Sequence, residues 1–223
     1  MYRRLARVLE DTARRHCPAW GVRVERIEPP EYVSAAGNQS YAWNTQKLEW
    51  WRVRVMEAAP GTRLLLIDGD TAILRPLDPV WGIDFDIAYT VRPHGLPLNG
   101  GVLFLRVGTE SRAFVERWWA TNLRFLRDPA AHRPWHLKYA GMNQAAFGKV
   151  LETARDGCRL LALPCREWNA CSPELYERGL TRVLHIKSRL RRATFGTEPP
   201  RPNMSILIKL WHSLEKRATR KDR

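Results

Sequence analysis

The feature that most constrains the fold is an uninterrupted apolar run at residues 64–67, which ends in Asp68-Gly69-Asp70. A run of this length bounded by turn residues is typical of a strand buried on both faces, as in the parallel sheets of α/β proteins. Alternation along the extended backbone points the two carboxylates to one side, and Gly69 permits a tight turn between them. Open α/β sheets bind their ligands at this end of their strands. The segment therefore predicts either a ligand site or a plain polar turn.

The rest of the chain alternates between strand and helix patterns. The spacing of the apolar residues predicts further strands at 22–29, 86–91, 100–107, 159–164 and 182–187, and helices at 2–16, 45–59, around 114–119 and at 143–151. A polar, proline-bearing stretch separates the last two helices. This alternation favours one α/β domain with a mixed, mainly parallel sheet.

The composition limits the class of protein and its partners. The 223 residues are 44% hydrophobic and 27% charged, which excludes a mostly disordered chain. Lys and Arg number 37 against 23 acidic residues, a net charge of +14 that favours an anionic partner. The four cysteines form no CxxC pair, so we expect free thiols rather than a zinc site. The first residues show no export signal, so the expected location is the cytoplasm.

The last part of the chain has a different character. We expect residues 1–190 to form the folded domain and residues 191–223 to form a basic segment with an amphipathic helix. Apolar side chains recur at helical spacing in residues 205–214. Two interpretations stay open, namely a last helix packed on the domain, or an interfacial helix in peripheral contact with an anionic membrane.

Five short motifs follow one another in a specific order. They lie at residues 64–81 (LLLIDGDTAILRPLDPVW), 98–104 (LNGGVLF), 141–147 (GMNQAAF), 163–169 (LPCREWN) and 183–187 (VLHIK). In this order and spacing they resemble the motifs of GT-A type glycosyltransferases, the nucleotide-diphospho-sugar transferases, and most closely those of glycosyltransferase family 8 and its relatives. The resemblance covers about residues 45–190 and implies a single GT-A-like, Rossmann-like domain.

The resemblance implies a metal site. Asp68 and Asp70, together with His185, would hold a divalent cation, Mn²⁺ or Mg²⁺, against the two phosphates of a nucleotide-sugar donor. Hard carboxylate oxygens are ligands that suit both ions. The alternative for His185 is a strand residue whose ring is satisfied by its neighbours.

The resemblance also implies a donor site and a catalytic residue. Gln144 would lie near the anomeric carbon and steady an oxocarbenium-like state, although it is alternatively a simple helix-start residue. The residues expected to bind the donor, besides Asp68, are Lys47, Asn99, Gly100, Gly101 and Lys187. Of these, Asn99-Gly100 is alternatively a hairpin turn.

The chain departs from the family pattern in two places. Asn143 stands where the family usually has Asp, which weakens any proposal of an acid nucleophile and favours same-face displacement without a covalent intermediate. The usual first strand of the family's sheet is also absent, since the chain opens on a helix pattern. A missing central strand would leave buried backbone groups unpaired, so we expect the true start to lie upstream.

These features favour a metal-dependent glycosyltransferase of the hexosyltransferase type. It would move a sugar from a nucleotide-diphosphate donor, most simply a UDP-sugar, to a hydroxyl of a glycan or lipid-linked acceptor. One alternative is a basic nucleic-acid-binding protein, supported by the charge and the ten Trp residues but by no nucleic-acid-binding motif. The other is a catalytically inactive relative of the transferases.

Overall fold

The structure of the chain is a computed structural model that describes residues 1–25, 27–28, 30–153 and 157–220. Its elements, in chain order, are α1 (Tyr2–His16), α2 (Gln39–Glu57), β1 (Arg63–Ile67), β2 (Thr71–Ile73), β3 (Ile87–Val91), β4 (Leu98–Arg106), α3 (Thr109–Arg127), α4 (Pro129–Tyr139), α5 (Asn143–Thr153), β5 (Leu160–Pro164), α6 (Cys165–Trp168), β6 (Val183–His185), α7 (Ser188–Thr194) and α8 (Ser205–Arg220). The α/β class predicted from the sequence is confirmed, with a mixed sheet that contains parallel strands.

The chain divides into two compact units. Unit 1 comprises Met1–Glu25, Ile67–Ile83 and Pro164–Arg223, and unit 2 comprises Arg26–Leu66 and Asp84–Leu163. Unit 1 contains the two-stranded sheet β2-β6, whereas the four-stranded sheet β1-β4-β3-β5 belongs chiefly to unit 2. None of the described helices is both long enough and apolar enough to cross a bilayer.

Unit 2 is built around its four-stranded sheet and the helices α2, α3 and α5. Aromatic side chains fill much of this core, where Trp118 contacts both Trp51 and Phe147. The amide of Asn122 on α3 donates to the hydroxyl of Thr45 on α2, which satisfies two buried polar groups at once. This packing fixes where α5 begins, and with it the position of Gln144.

Unit 1 is held together by α1, β2, α7 and α8. The apolar side of α8 packs on α1, with Leu207, Trp211 and Leu214 buried in a cluster that includes Leu5 of α1. Trp211 is fully buried, and truncation of such a side chain to Ala typically costs about 3–5 kcal/mol of stability. Insertion of this apolar side into lipid, one of the two interpretations of the segment, is therefore wrong for these three residues.

Two sequence predictions of local structure are also wrong. Residues 22–25, 27 and 28 form no strand, because Val24 is exposed and the chain offers no buried face there; positions 26 and 29 of the predicted strand lie outside the described residues. The polar stretch before residue 143 contains a helix, α4. Its Pro129 occupies the first turn, where no backbone N–H is needed, and the Asp128 carboxylate caps it by accepting from the Ala131 N–H.

Candidate active site

The candidate site of unit 1 lies at the turn that joins β1 to β2. Asp68, Gly69 and Asp70 form this turn, and β2 begins at Thr71. The Thr71 hydroxyl donates to the Asp68 carbonyl oxygen over 2.7 Å, which closes the turn. Asp68 is half-buried and Asp70 is buried, so the turn holds its second acid away from bulk water.

Strand pairing brings His185 to this turn. β2 and β6 are antiparallel, and Thr71 stands opposite His185, the last residue of β6. Beyond that pair, the Ile186 N–H donates to the Asp70 carbonyl oxygen over 2.9 Å. An acid and an imidazole that are 115 positions apart in the sequence therefore meet because two short strands share one register.

The side chains of Asp68, Asp70 and His185 converge, and we call them the acid–histidine cluster. The His185 Nε2 lies 3.1 Å from Asp70 Oδ1 and 3.8 Å from Asp68 Oδ2. One ligand atom from each residue lies within 4.8 Å of the others. Over the described part of the chain, no other group of three His, Cys, Asp or Glu residues has this arrangement.

Asn169 fixes the orientation of the His185 ring. Its side-chain oxygen Oδ1 lies 3.0 Å from His185 Nδ1, and both side chains are buried. An amide oxygen only accepts, so Nδ1 carries the proton and Nε2 faces the two acids. A histidine that ligates a metal nearly always donates its other ring N–H in this way.

Arg191, in the short helix α7, occupies the other side of Asp70. Its Nη1 donates to Asp70 Oδ2 over 2.9 Å. Burial of the Asp70 carboxyl raises its pKa, but the charge and hydrogen bond of His185 and the charge of Arg191 outweigh burial and lower the pKa to about 2. Asp70 is therefore ionised at any physiological pH, as a metal ligand must be.

The cluster fits a divalent cation. It offers two carboxylate oxygens and one imidazole nitrogen, a donor set that suits Mn²⁺ and also Mg²⁺. Three protein ligands leave coordination positions for oxygens of a substrate. The oriented imidazole and the ionised Asp70 are the supporting features that such a site requires.

A separate group of predicted site residues lies in unit 2, where β4 bulges. β3 and β4 pair as Thr90 with Asn99 and then Tyr89 with Leu103, so the register shifts and Gly100, Gly101 and Val102 are left out of the ladder. Asn99 is buried, and its side-chain oxygen lies 3.4 Å from the Gly101 N–H. Bulges of this kind often redirect side chains next to active sites.

Gln144 at the start of α5 reaches this bulge. Its Oε1 accepts from the Gly100 N–H over 3.2 Å, and its Nε2 donates to the Tyr139 carbonyl oxygen over 2.6 Å. A small cavity of about 20 Å³, room for about one water molecule, is lined by Asn99, Gly100 and Gln144 among others. We call these three residues the amide cluster.

The start of α5 is itself fixed from two sides. The Asn143 side chain donates to the Asn44 carbonyl oxygen of α2, and its carbonyl oxygen accepts from the Trp118 indole of α3. Asn143, which replaces the acid expected from the resemblance, is thus tied to the protein's own backbone.

The other predicted donor-binding residues are scattered. Gly101 belongs to the bulge. Lys187 lies two residues after His185, and its N–H donates to the His185 carbonyl oxygen over 3.1 Å. Lys47 lies on α2, and its ammonium group sits 4.6 Å from the centre of the Trp51 ring. Of these three residues, Lys187 therefore lies in unit 1, whereas Lys47 and Gly101 lie in unit 2.

Sequence reasoning missed the roles of two residues. Asn169 belongs to one of the five motifs, but the sequence does not predict its contact with His185. Arg191 is predicted only as a residue of the basic C-terminal segment. A faint signal for Arg191 exists, since it lies in the first turns of the helix that follows the His185 strand. Ser188, between His185 and Arg191, adopts a left-handed backbone with a φ of 51°, which makes the turn into α7 sharper.

Comparison with known proteins identifies the fold. No protein-family model matches the chain, and no curated protein is significantly similar to it. Several solved structures are similar, including the following three. A glycosyltransferase involved in glycosylation of the major capsid of PBCV-1 is 18% identical, with a TM-score of 0.56 over 84% of this chain and 92% of that one. The galactosyltransferase LgtC, in complex with donor and acceptor sugar analogs, is 12% identical, with a TM-score of 0.53 over 96% and 92%.

The third structure is the glycosyltransferase GlyE of Streptococcus pneumoniae TIGR4, which is 11% identical with a TM-score of 0.53. It covers 74% of this chain, but this chain spans only 42% of GlyE. At these identities the likeness shows the fold alone. The chain has the GT-A fold, which confirms the fold class predicted from its motifs, and the likeness to LgtC is consistent with the expected relation to family 8.

Proposed function

We propose that this chain of GT-A fold is a metal-dependent glycosyltransferase that moves a sugar from a nucleotide-diphosphate donor to an acceptor hydroxyl. The observation that carries the proposal is the convergence of Asp68, Asp70 and His185 in a protein with that fold. Each of these residues belongs to a motif of the sequence. A plain polar turn explains neither the buried Asp70 nor the His185 ring held by Asn169.

The acid–histidine cluster would hold the cation, with Mn²⁺ as our first choice and Mg²⁺ as the second. A divalent cation bound there neutralises the charge that develops on the leaving diphosphate as the glycosidic bond breaks. Asn169 keeps His185 Nε2 aimed at the ligand position. Asp70 stays ionised because His185 and Arg191 stabilise its charged form.

Two basic side chains would contact the diphosphate directly. Lys187 follows His185, and Arg191 already reaches the cluster with its guanidinium 2.9 Å from Asp70. Guanidinium groups bind phosphate oxygens in a bidentate manner and remain charged at all relevant pH values. We therefore add Arg191 to the donor-binding residues expected from the sequence.

The amide cluster would bind the sugar. Asn99 is buried at the bulge, and the Gly100-Gly101 backbone lets a ligand approach closely. Gln144 would steady positive charge near the anomeric carbon through its side-chain oxygen. Asn143 cannot serve as a carboxylate nucleophile, so the chemistry we propose is displacement without a covalent intermediate at this position.

The donor we propose is a UDP-sugar, and the acceptor is a hydroxyl of a glycan or a lipid-linked saccharide. The PBCV-1 relative acts in the glycosylation of a capsid protein, and LgtC was solved with donor and acceptor sugar analogs. Those acceptors are properties of those proteins. For this chain they support saccharide transfer as a class and no particular sugar.

The first test is calorimetric titration of UDP into the 223-residue protein with Mn²⁺ and again with EDTA. We expect binding with the metal and none with EDTA. Binding that is equal under both conditions would contradict a metal-dependent donor site.

The second test compares Asp70→Asn with Asp78→Asn for Mn²⁺-dependent hydrolysis of UDP-sugars. Asp78 is an exposed acid of the same unit whose carboxylate accepts from the Trp20 indole, so it is a matched control. We expect Asp70→Asn to abolish hydrolysis and Asp78→Asn to retain it, with unchanged circular dichroism in both. If the wild type binds UDP and Mn²⁺ but hydrolyses and transfers no UDP-sugar, the chain is an inactive relative.

A further inference from the structure

Helices α1 and α8 carry a large share of the positive charge of the chain. Together they contain nine Lys or Arg residues and only three acids. Both helices belong to unit 1 and pack on each other through Leu5, Val8, Leu207, Trp211 and Leu214. Their apolar sides are therefore used inside the protein, and the sides that remain are polar.

The exposed side of α8 is a continuous basic row. Lys209, Lys216 and Arg220 are exposed and recur at helical spacing, and exposed Arg217 lies beside them. The α8 helix has 16 residues, so this row extends over most of its length of about 24 Å. On α1, the exposed side chains of Arg3 and Arg7 lie one turn apart.

The acids of these two helices are already paired. Glu215 of α8 accepts from Arg4 of α1 over 2.8 Å, which marks the seam between the helices. On α1, Asp11 pairs with Arg15, and Glu10 lies 3.9 Å from Arg14. Within the described residues, none of the four basic side chains of the α8 row has an acidic partner at ion-pair distance.

We propose that this surface adsorbs the protein onto an anionic lipid bilayer by charge, without insertion of α8. We call it the basic face, formed by Lys209, Lys216, Arg217 and Arg220 of α8. Each Lys or Arg near an anionic bilayer adds to the attraction, and several together give stable but salt-sensitive binding. The inference does not rest on the proposed glycosyl transfer.

The character of the basic face favours a bilayer over nucleic acid. Stacking platforms for bases need exposed aromatic rings, but the Trp of α8 is buried. An exposed apolar residue of α8 next to the basic face is Ile206, which is 58% exposed at the start of the helix. An isoleucine near Lys209 suits the headgroup boundary of a membrane.

The experiment is vesicle sedimentation of the full chain with phosphatidylcholine alone and with added phosphatidylglycerol. The face variant is Lys209→Glu/Lys216→Glu/Arg220→Glu. The matched control is Arg124→Glu/Arg127→Glu/Arg133→Glu, which changes the net charge equally at exposed positions of unit 2. A milder Lys209→Gln/Lys216→Gln/Arg220→Gln variant is measured in parallel, and circular dichroism checks the fold of each.

We expect binding to anionic vesicles only, lost as salt rises from about 0.1 M toward 1 M. The face variant should partition about a hundredfold more weakly and the control close to the wild type. Equal losses in both charge-reversal variants would overturn the basic face, since net charge alone would explain them. Salt-independent binding to neutral vesicles would overturn adsorption in favour of insertion. Displacement from vesicles by a DNA oligonucleotide at equal phosphate concentration would overturn the choice of a bilayer.

Discussion

The acid–histidine cluster of unit 1 and the amide cluster of unit 2 are built in opposite ways. In the acid–histidine cluster, charged side chains face one another, and the partner of each comes from a distant part of the sequence. In the amide cluster, Gln144 binds main-chain groups at Gly100 and Tyr139. The first holds two carboxylates beside one guanidinium and therefore favours a cation. The second is uncharged and suits hydroxyl groups.

The proposed function gives the two clusters separate tasks, and mutations can test this separation. Under the proposed function, changes in the acid–histidine cluster should alter binding of metal and diphosphate. Changes in the amide cluster should alter turnover while binding of UDP and metal stays the same. A variant in one cluster that alters both the binding of UDP and metal and the turnover would contradict this separation of tasks.

Outside the three metal-ligand candidates, the largest effect should come from Gln144→Ala. Loss of a preorganised polar group at the reacting centre lowers kcat by about 10²–10³-fold in comparable cases. We expect that fall in UDP-sugar turnover with UDP affinity unchanged by calorimetry. The control is Gln46→Ala, which removes an amide of α2 that donates to Glu49. A parallel loss of UDP affinity in Gln144→Ala would show that Gln144 supports the donor site as a whole.

Asn169→Ala should have the next largest effect. Residues that orient a metal-ligating histidine typically contribute 10- to 100-fold in metal affinity, so we expect Mn²⁺ to bind about that much more weakly. Asn169→Asp keeps an acceptor for His185 Nδ1 and should restore most of the affinity. Asn203→Ala, which removes an exposed partner of Glu174, serves as the control. Unchanged Mn²⁺ affinity in Asn169→Ala would remove Asn169 from the site.

Much of the first cluster was predictable because its chemistry lies in local motifs. The hydrophobic pattern predicts both the strand before Asp68 and the strand that carries His185, and both strands form. Arg191 was not predictable in the same way. Its contact with Asp70 depends on the turn at Ser188 and on the β2-β6 register, which no local pattern encodes.

The amide cluster shows a different limit. Its residues belong to motifs of the sequence. The bulge that displaces Gly100 and Gly101 from the ladder, however, depends on strand pairing, which those motifs do not predict. Similarly, α4 was missed because Pro129 and Pro134 read as helix breakers. At the start of α4, however, proline is tolerated because it lies in the first turn, and Asp128 caps the helix.

The two clusters should also differ in acid, because only one of them carries a group that titrates. In metal-free protein, the pKa of Asp70 lies at about 2 instead of 3.8. A depressed carboxyl pKa contributes stability that is fully present above the unfolded value and is lost as the pH falls through the folded value. We expect this contribution to be about 2 kcal/mol. In urea unfolding, the free energy of unfolding of the wild type should exceed that of Asp70→Asn, and this difference should shrink from neutral pH toward pH 2. A difference that stays constant with pH would contradict it, and Gln144→Ala provides a variant with no expected pH dependence.

The smallest effect, and the one that sharpens the comparison most, is expected from Arg191→Gln. The guanidinium lies 2.9 Å from Asp70 Oδ2 and is about one-third exposed, so it repels an incoming cation through partly screened charge. Removing it should strengthen Mn²⁺ binding to the nucleotide-free protein by about threefold, within the range of about 1 kcal/mol for such pairs. The same variant should weaken UDP binding in the presence of Mn²⁺, because a phosphate contact is lost. Arg192→Gln, on the same helix as Arg191, should change neither affinity, because the Arg192 side chain pairs with Glu198 beyond the end of that helix. Weaker Mn²⁺ binding in Arg191→Gln would mean that the guanidinium positions Asp70 for the metal, and the cluster would then depend on it as it depends on Asn169.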